Sequence, residues 1–167
     1  DPNSFTQRYV NSPESAFLAG VDFELRREWR QGWMFSAYYG YQRAQYLTTP
    51  ESDPLLQTNP RLINSPEHLA SLRGVVPVVP ELASLAARVN LEAPRRIDLE
   101  SDVTTRPAIT ADVTLSGNIR RFGVGYVLGV YNITDQRYDY LTSPSYFGKL
   151  SRQNGRTVLM NLTVQYP

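Results

Sequence analysis

Cysteine is absent from the 167 residues, which excludes disulfide staples, thiolate-bound zinc and thiol nucleophiles and suits an oxidising compartment such as the bacterial cell surface. Histidine occurs once, as His68, so no histidine pair exists for a metal site. Neither sign of charge is in excess, with 17 Lys+Arg against 16 Asp+Glu scattered along the chain, and a nucleic-acid partner is not expected. No glycine-rich phosphate loop precedes a helix, and no cofactor is expected. A run of about 18 apolar residues, the length of a membrane-spanning helix, is also missing. That last absence does not exclude a membrane, because barrel strands alternate apolar and polar residues and average out mildly polar. No basic and then apolar leader opens the chain at Asp1, so it is expected to be mature or cut from something longer.

What the sequence does contain is a period of two. Phe17, Ala19, Val21, Phe23 and Leu25 share one face, opposite Gly20, Asp22, Glu24 and Arg26. Trp33, Phe35, Ala37, Tyr39 and Tyr41 repeat the apolar face, as do Ala83, Leu85, Ala87, Val89 and Leu91. A fourth strand sets Ile109, Ala111, Val113, Leu115 and Ile119 against Thr110, Asp112, Thr114, Ser116 and Asn118, with Gly117 the one gap in its apolar face. Further strands are predicted over Phe5–Val10, Glu67–Val78, Phe122–Asn132 and Thr157–Tyr166. In the Phe122 strand Gly123, Gly125, Gly129 and Tyr131 fall on the inner face. The sum is an all-β, antiparallel meander of about eight strands.

The links between strands alternate in length. Glu28–Gln31, Val79–Glu81 and Arg120–Arg121 are tight; Ala44–Asn64, Pro94–Arg106 and Ile133–Arg156 are long, and only Asn11–Ser15 is short on the long side. Short periplasmic turns and long outer loops are the habit of bacterial outer-membrane barrels. Aromatics collect at both ends, with Trp29, Trp33, Phe122 and Tyr166 by the tight turns and Tyr9, Tyr39, Tyr41, Tyr46 and Tyr131 toward the other rim. A soluble sandwich or lipocalin-like barrel also alternates, but would put charge outside and vary its loops without this parity.

The last strand places Val158, Met160, Leu162, Val164 and Tyr166 on one face. It resembles the C-terminal signal read by the barrel assembly machinery, departing from it only in the trailing Pro167. Before it, Asn132-Ile133-Thr134-Asp135-Gln136-Arg137-Tyr138 and Gln153-Asn154-Gly155-Arg156-Thr157 resemble the stretches leading into the final strand of TonB-dependent receptors. Tyr9-Val10-Asn11 with Ala19-Gly20-Val21-Asp22-Phe23-Glu24-Leu25, and Asn64-Ser65-Pro66-Glu67-His68-Leu69, resemble strand pairs of the same family. The resemblance implies that residues 1–167 are the C-terminal portion of an outer-membrane barrel of about 22 strands, its plug domain absent. It further implies outer-membrane lipid, the barrel assembly machinery, the TonB complex acting through the missing plug, and a small ligand such as an iron chelate as partners.

Ligand contact in such a receptor is expected from cationic and aromatic heads in the outer loops: Arg95, Arg96 and Arg106 in one, Arg137, Tyr138, Tyr140, Tyr146 and Phe147 in another. Asp98, Glu100 and Asp102 read as solvated acids and not as calcium ligands. Two other readings compete. One is a complete eight-stranded barrel of the OmpA or OmpW kind, for which the glycine-lined interior is thin. The other is an outer-membrane hydrolase using His68 with Ser65 or Ser71. Against it His68 reads as a capped strand start, and no enzymatic activity is expected.

Overall fold

A computed structural model describes residues 14–142 and 148–165. Seven long antiparallel strands form one sheet: β1 Ala16–Glu28, β2 Met34–Tyr46, β3 His68–Val79, β4 Ala83–Glu92, β5 Ala108–Ile119, β6 Val124–Tyr131 and, last in the chain, β9 Thr157–Val164. Two short strands, β7 Asp139–Leu141 and β8 Leu150–Arg152, make a separate hairpin inside the longest loop. Order along the sheet follows the chain, β1-β2-β3-β4-β5-β6-β9, so the sheet is a pure meander. Among the described residues β1 and β9 each pair on one side only, and the sheet does not close.

Register shows why the period of two governs the fold. Phe23, Tyr39, Ala70, Leu91 and Ile109 follow one another across five strands, and Val76, Leu85, Leu115, Leu128 and Met160 across another five. A one-residue slip of β1 would put Asp22 or Glu24 among them, and a slip of β4 would put Arg88 and Glu92 on the same face. Nothing covers this face: Phe23 is 60% exposed, Leu162 59% and Val164 66%, and no large side chain among the described residues is fully buried. Among the described residues the sheet thus has one continuous apolar face and no core packed beneath it.

The tight turns close as their chemistry requires. Gly32 at φ +85° lets the Trp29–Trp33 turn form, with Gly32 N–H donating to Trp29 O at 3.0 Å. Residues 120–122 form a single 3-10 turn that ends on Gly123 at φ +60°. The strand predicted from Phe122 to Asn132 therefore begins at Val124 and ends at Tyr131, because a left-handed residue cannot extend a ladder. Asn132 turns out of the sheet at φ +50°.

The long loops hold short elements of their own: residues 54–58 form a helical turn, α1, capped by Asp53 Oδ1 accepting from Leu55 N–H at 2.8 Å, and the last loop contains β7 and β8. Tyr131 lies on the polar face as expected, and Tyr46 shares that face by register. Gly117 leaves no gap, since the Tyr126 ring lies over it on the apolar face and donates its hydroxyl to Leu82 O at 3.1 Å. The strand predicted at Phe5–Val10, the Asn11–Ser15 link apart from its last two residues, and Tyr166 lie outside the described residues.

Candidate functional site

The polar face is laid out in rows. Arg26, Ser36, Arg73, Arg88 and Asp112 succeed one another from β1 to β5, and Tyr131 of β6 pairs with Thr157 of β9. One step outward comes Glu24, Tyr38, Ser71, Asn90 and Thr110, then Asp22, Gly40, Leu69, Glu92 and Ala108. Polar neighbours in these rows satisfy one another: Tyr38 donates to Asp22 Oδ1 at 2.8 Å, Ser71 to Asn90 Oδ1 at 2.9 Å, and Arg88 Nη2 to Asp112 Oδ2 at 2.7 Å. Asp112, buried, also accepts the Asn132 N–H on Oδ1 at 2.9 Å.

Asn132 opens the loop above this face. Its Oδ1 accepts from Gln136 N–H at 3.0 Å and its Nδ2 donates to Gln136 O at 2.9 Å, so one buried side chain closes the whole 132–136 turn. Asp135 then reaches the far end of the loop, taking the Arg156 N–H on Oδ1 at 2.8 Å, while Arg156 Nε donates to Ile133 O at 2.9 Å. A Cβ on Gly155 would stand 2.4 Å from that carboxylate oxygen. The Asn132–Tyr138 and Gly155-Arg156 stretches, separate in sequence, are thus the two halves of one clasp.

The loops meet over the outer end of the polar face. Arg96 is buried, its Nη1 donating to Asn59 O at 2.6 Å and Arg61 O at 3.1 Å and its Nη2 to Leu99 O at 2.9 Å. Expected to face a ligand, it instead ties the 47–67 loop to the 93–107 loop, its guanidinium spent on carbonyls. Arg95 holds Glu92 Oε1 at 2.6 Å and Asn64 Oδ1 at 2.9 Å, and its guanidinium lies 4.9 Å over the Tyr140 ring. Tyr138 meets Tyr140 edge to face at 5.5 Å. Burial, followed by the Glu92 carboxylate, raises the Tyr140 hydroxyl above its ordinary pKa. Arg106 and Arg137 are exposed. Tyr146 and Phe147 lie outside the described residues.

Two connected clefts run beneath this roof. A smaller one of about 220 Å³ touches Tyr38, Ser71, Asn90, Glu92, Tyr138 and Tyr140. A larger one of about 480 Å³ continues along Arg88, Asp112, Tyr131, Asn132, Gln153 and Asn154. Structure therefore joins Tyr138, Tyr140 and Arg95 of the predicted set to Tyr38, Asn90, Gln153 and Asn154, which sequence reasoning did not single out. The signal for the first two was their inward parity on β2 and β4. Farther out, Lys149 donates to Asp98 Oδ2 at 2.9 Å, and two bonds from Ser101 together with Lys149 hold the Asp98 carboxyl down to about 2. His68 sits on the opposite, apolar face, with Nδ1 2.8 Å from the Tyr39 hydroxyl and its ring 5.2 Å from that of Tyr41. Ser71 faces the other way.

Among the described residues the sheet is therefore an open antiparallel wall, apolar on one face and polar on the other, with loops folded over one end of the polar face. No protein-family model matches the sequence, and no curated protein does. Among solved structures, the wall superposes on BauA, the ferric preacinetobactin receptor from Acinetobacter baumannii, with a TM-score of 0.71 and 13% identity over 91% of this chain. It superposes on FyuA, the ferric yersiniabactin uptake receptor from Yersinia pestis, with a TM-score of 0.69 and 22% identity over 89%. The chain spans less than a quarter of either receptor, 22% and 23% of their lengths. It has the fold of a segment of the TonB-dependent ferric siderophore receptor barrel, as its motifs imply.

Proposed function

We propose that this chain is a wall segment of an energy-coupled outer-membrane receptor that takes up a scarce ligand such as a ferric siderophore. The observation that carries the proposal is the pairing of an uncovered apolar face with a polar face roofed by clasped loops, in the fold of two ferric siderophore receptors. In this reading the ligand binds outside, between Arg95, Tyr138 and Tyr140, and the plug shifts when the TonB complex pulls it. The wall supplies lumen and loops and does no chemistry on the ligand. The uncovered apolar rows support a place in the outer membrane, with β9 the strand that the assembly machinery would recognise.

The closed eight-stranded alternative is less well supported, since the described sheet is open and its inner face holds rows of paired polar groups around clefts of hundreds of Å³. Deleting the full-length gene should abolish growth on one ferric chelate as sole iron source and uptake of radiolabelled iron from it. Unimpaired uptake of every chelate tested, or a full-length product no larger than eight strands, would overturn the proposal.

A further inference from the structure

The middle of the polar face carries like charges with too few counter-charges. Arg73 of β3 and Arg88 of β4 stand directly opposite each other, a placement that works against a sheet unless an anion intervenes. Asp112 is next in the row, but it serves Arg88: Nε and Nη2 both donate to its Oδ2, at 3.0 and 2.7 Å, and Asn132 N–H occupies Oδ1. Arg26, on the other side of Ser36, is paired with Glu28. Arg73 is exposed and has neither an ion pair nor a hydrogen bond among the described residues. A cleft of about 340 Å³ opens between the two arginines, with Ala86 leaving room beneath and Thr114 and Ser116 along its side. That is about ten times the space one water molecule occupies in the liquid.

We propose that Arg73, with Arg88 beside it, forms a carboxylate-binding site halfway down the inner wall. With Arg26 paired to Glu28 and Arg88 to Asp112, Arg73 keeps a positive charge that a carboxylate group can balance. A planar guanidinium also matches the two oxygens of a carboxylate in a fork of parallel hydrogen bonds. The carboxylate comes from a segment of the same polypeptide lying inside the barrel or from an acidic small molecule in the lumen. The proposal rests on reading this face as the inside of the wall.

The full-length protein in detergent provides the test. Phenylglyoxal should modify Arg73 about tenfold more slowly than the exposed turn residue Arg30, either at once or on adding citrate as the free acid. Equal rates with and without citrate would overturn the site. An Arg73→Lys variant, treated with a carbodiimide that takes up the water released, should form an amide from that amine to whatever acid it touches. An amide to an Asp or Glu beyond residues 1–167 assigns the site to an internal segment, and a citrate adduct assigns it to a soluble acid. An amide to Asp112 alone, or none, overturns the proposal. A receptor that imports iron but yields neither product keeps the proposed function and loses this site; a product without uptake does the reverse.

Discussion

Asp135 and Gly155 illustrate how single atoms decide the loops. The Asp135 carboxylate fills the space a Gly155 side chain would need, and it is already bonded to Arg156 N–H. Gly155→Ala should cost the hydrogen bond, about 1 kcal/mol. Gly117→Ala should cost more, about 1–3 kcal/mol, because its Cβ would stand 1.8 Å from the Leu82 carbonyl, a backbone atom that cannot swing aside. Urea midpoints of the two variants in the full-length barrel would rank them, and a milder Gly117 variant would contradict the packing. At the Asp98–Lys149 contact the sign follows from a carboxyl held below its ordinary value, with Ser101 the largest cause and Lys149 next. Its contribution is complete above the unfolded value of 3.8 and is lost as pH falls through about 2. The β7–β8 hairpin should therefore resist pepsin at pH 4 and yield below pH 2, whereas Asp98→Asn should make it cleavable at pH 4. None of the contacts of Asp135 with Gly155, Leu82 with Gly117 or Asp98 with Lys149 was legible in the sequence, since each joins residues far apart in the chain whose approach only the folded backbone defines.

At the scale of the element, β9 is the clearest case of a strand written in its own residues. Val158, Met160, Leu162 and Val164 lie on the apolar face of the sheet, and Leu159, Asn161 and Thr163 on the opposite one. Met160→Arg should cost about 2–4 kcal/mol, since it drives a charge into the hydrocarbon, while Asn161→Arg one residue on should be nearly neutral. The folded fraction in membranes, read from heat-modifiable mobility on gels, would separate the two; equal losses would mean the face assignment fails. The period of two predicted the seven sheet strands to within a few residues because each has one apolar and one polar face. It could not predict β7, β8 or α1, which are three to five residues long. They lie outside the main sheet, where no alternation is imposed, and are held by contacts such as Arg95 over Tyr140.

Across the whole molecule the sheet leaves two strand edges, at β1 and β9, without partners among the described residues. Expressed alone, the chain should associate through these edges and run as aggregate, not as a heat-modifiable monomer, in detergent; a sharp monomer would favour self-closure. The proposed ligand contact also belongs to this scale, because Arg95, Tyr138 and Tyr140 converge from two loops. Removing the Arg95 side chain should weaken binding of an anionic ferric chelate to the full-length receptor about tenfold, by roughly 1.4 kcal/mol, as measured by fluorescence quenching. The sequence by itself determined which face of each strand is apolar and which links are short, because alternation and turn chemistry are local. Tertiary structure alone decided that Arg96 is spent on carbonyls of two loops, that the Asn132–Gln136 turn and Gly155 form one clasp, and that Arg73 faces Arg88 with no anion of its own among the described residues. Those facts depend on register and on loops meeting across strands, which bring together residues far apart in the chain.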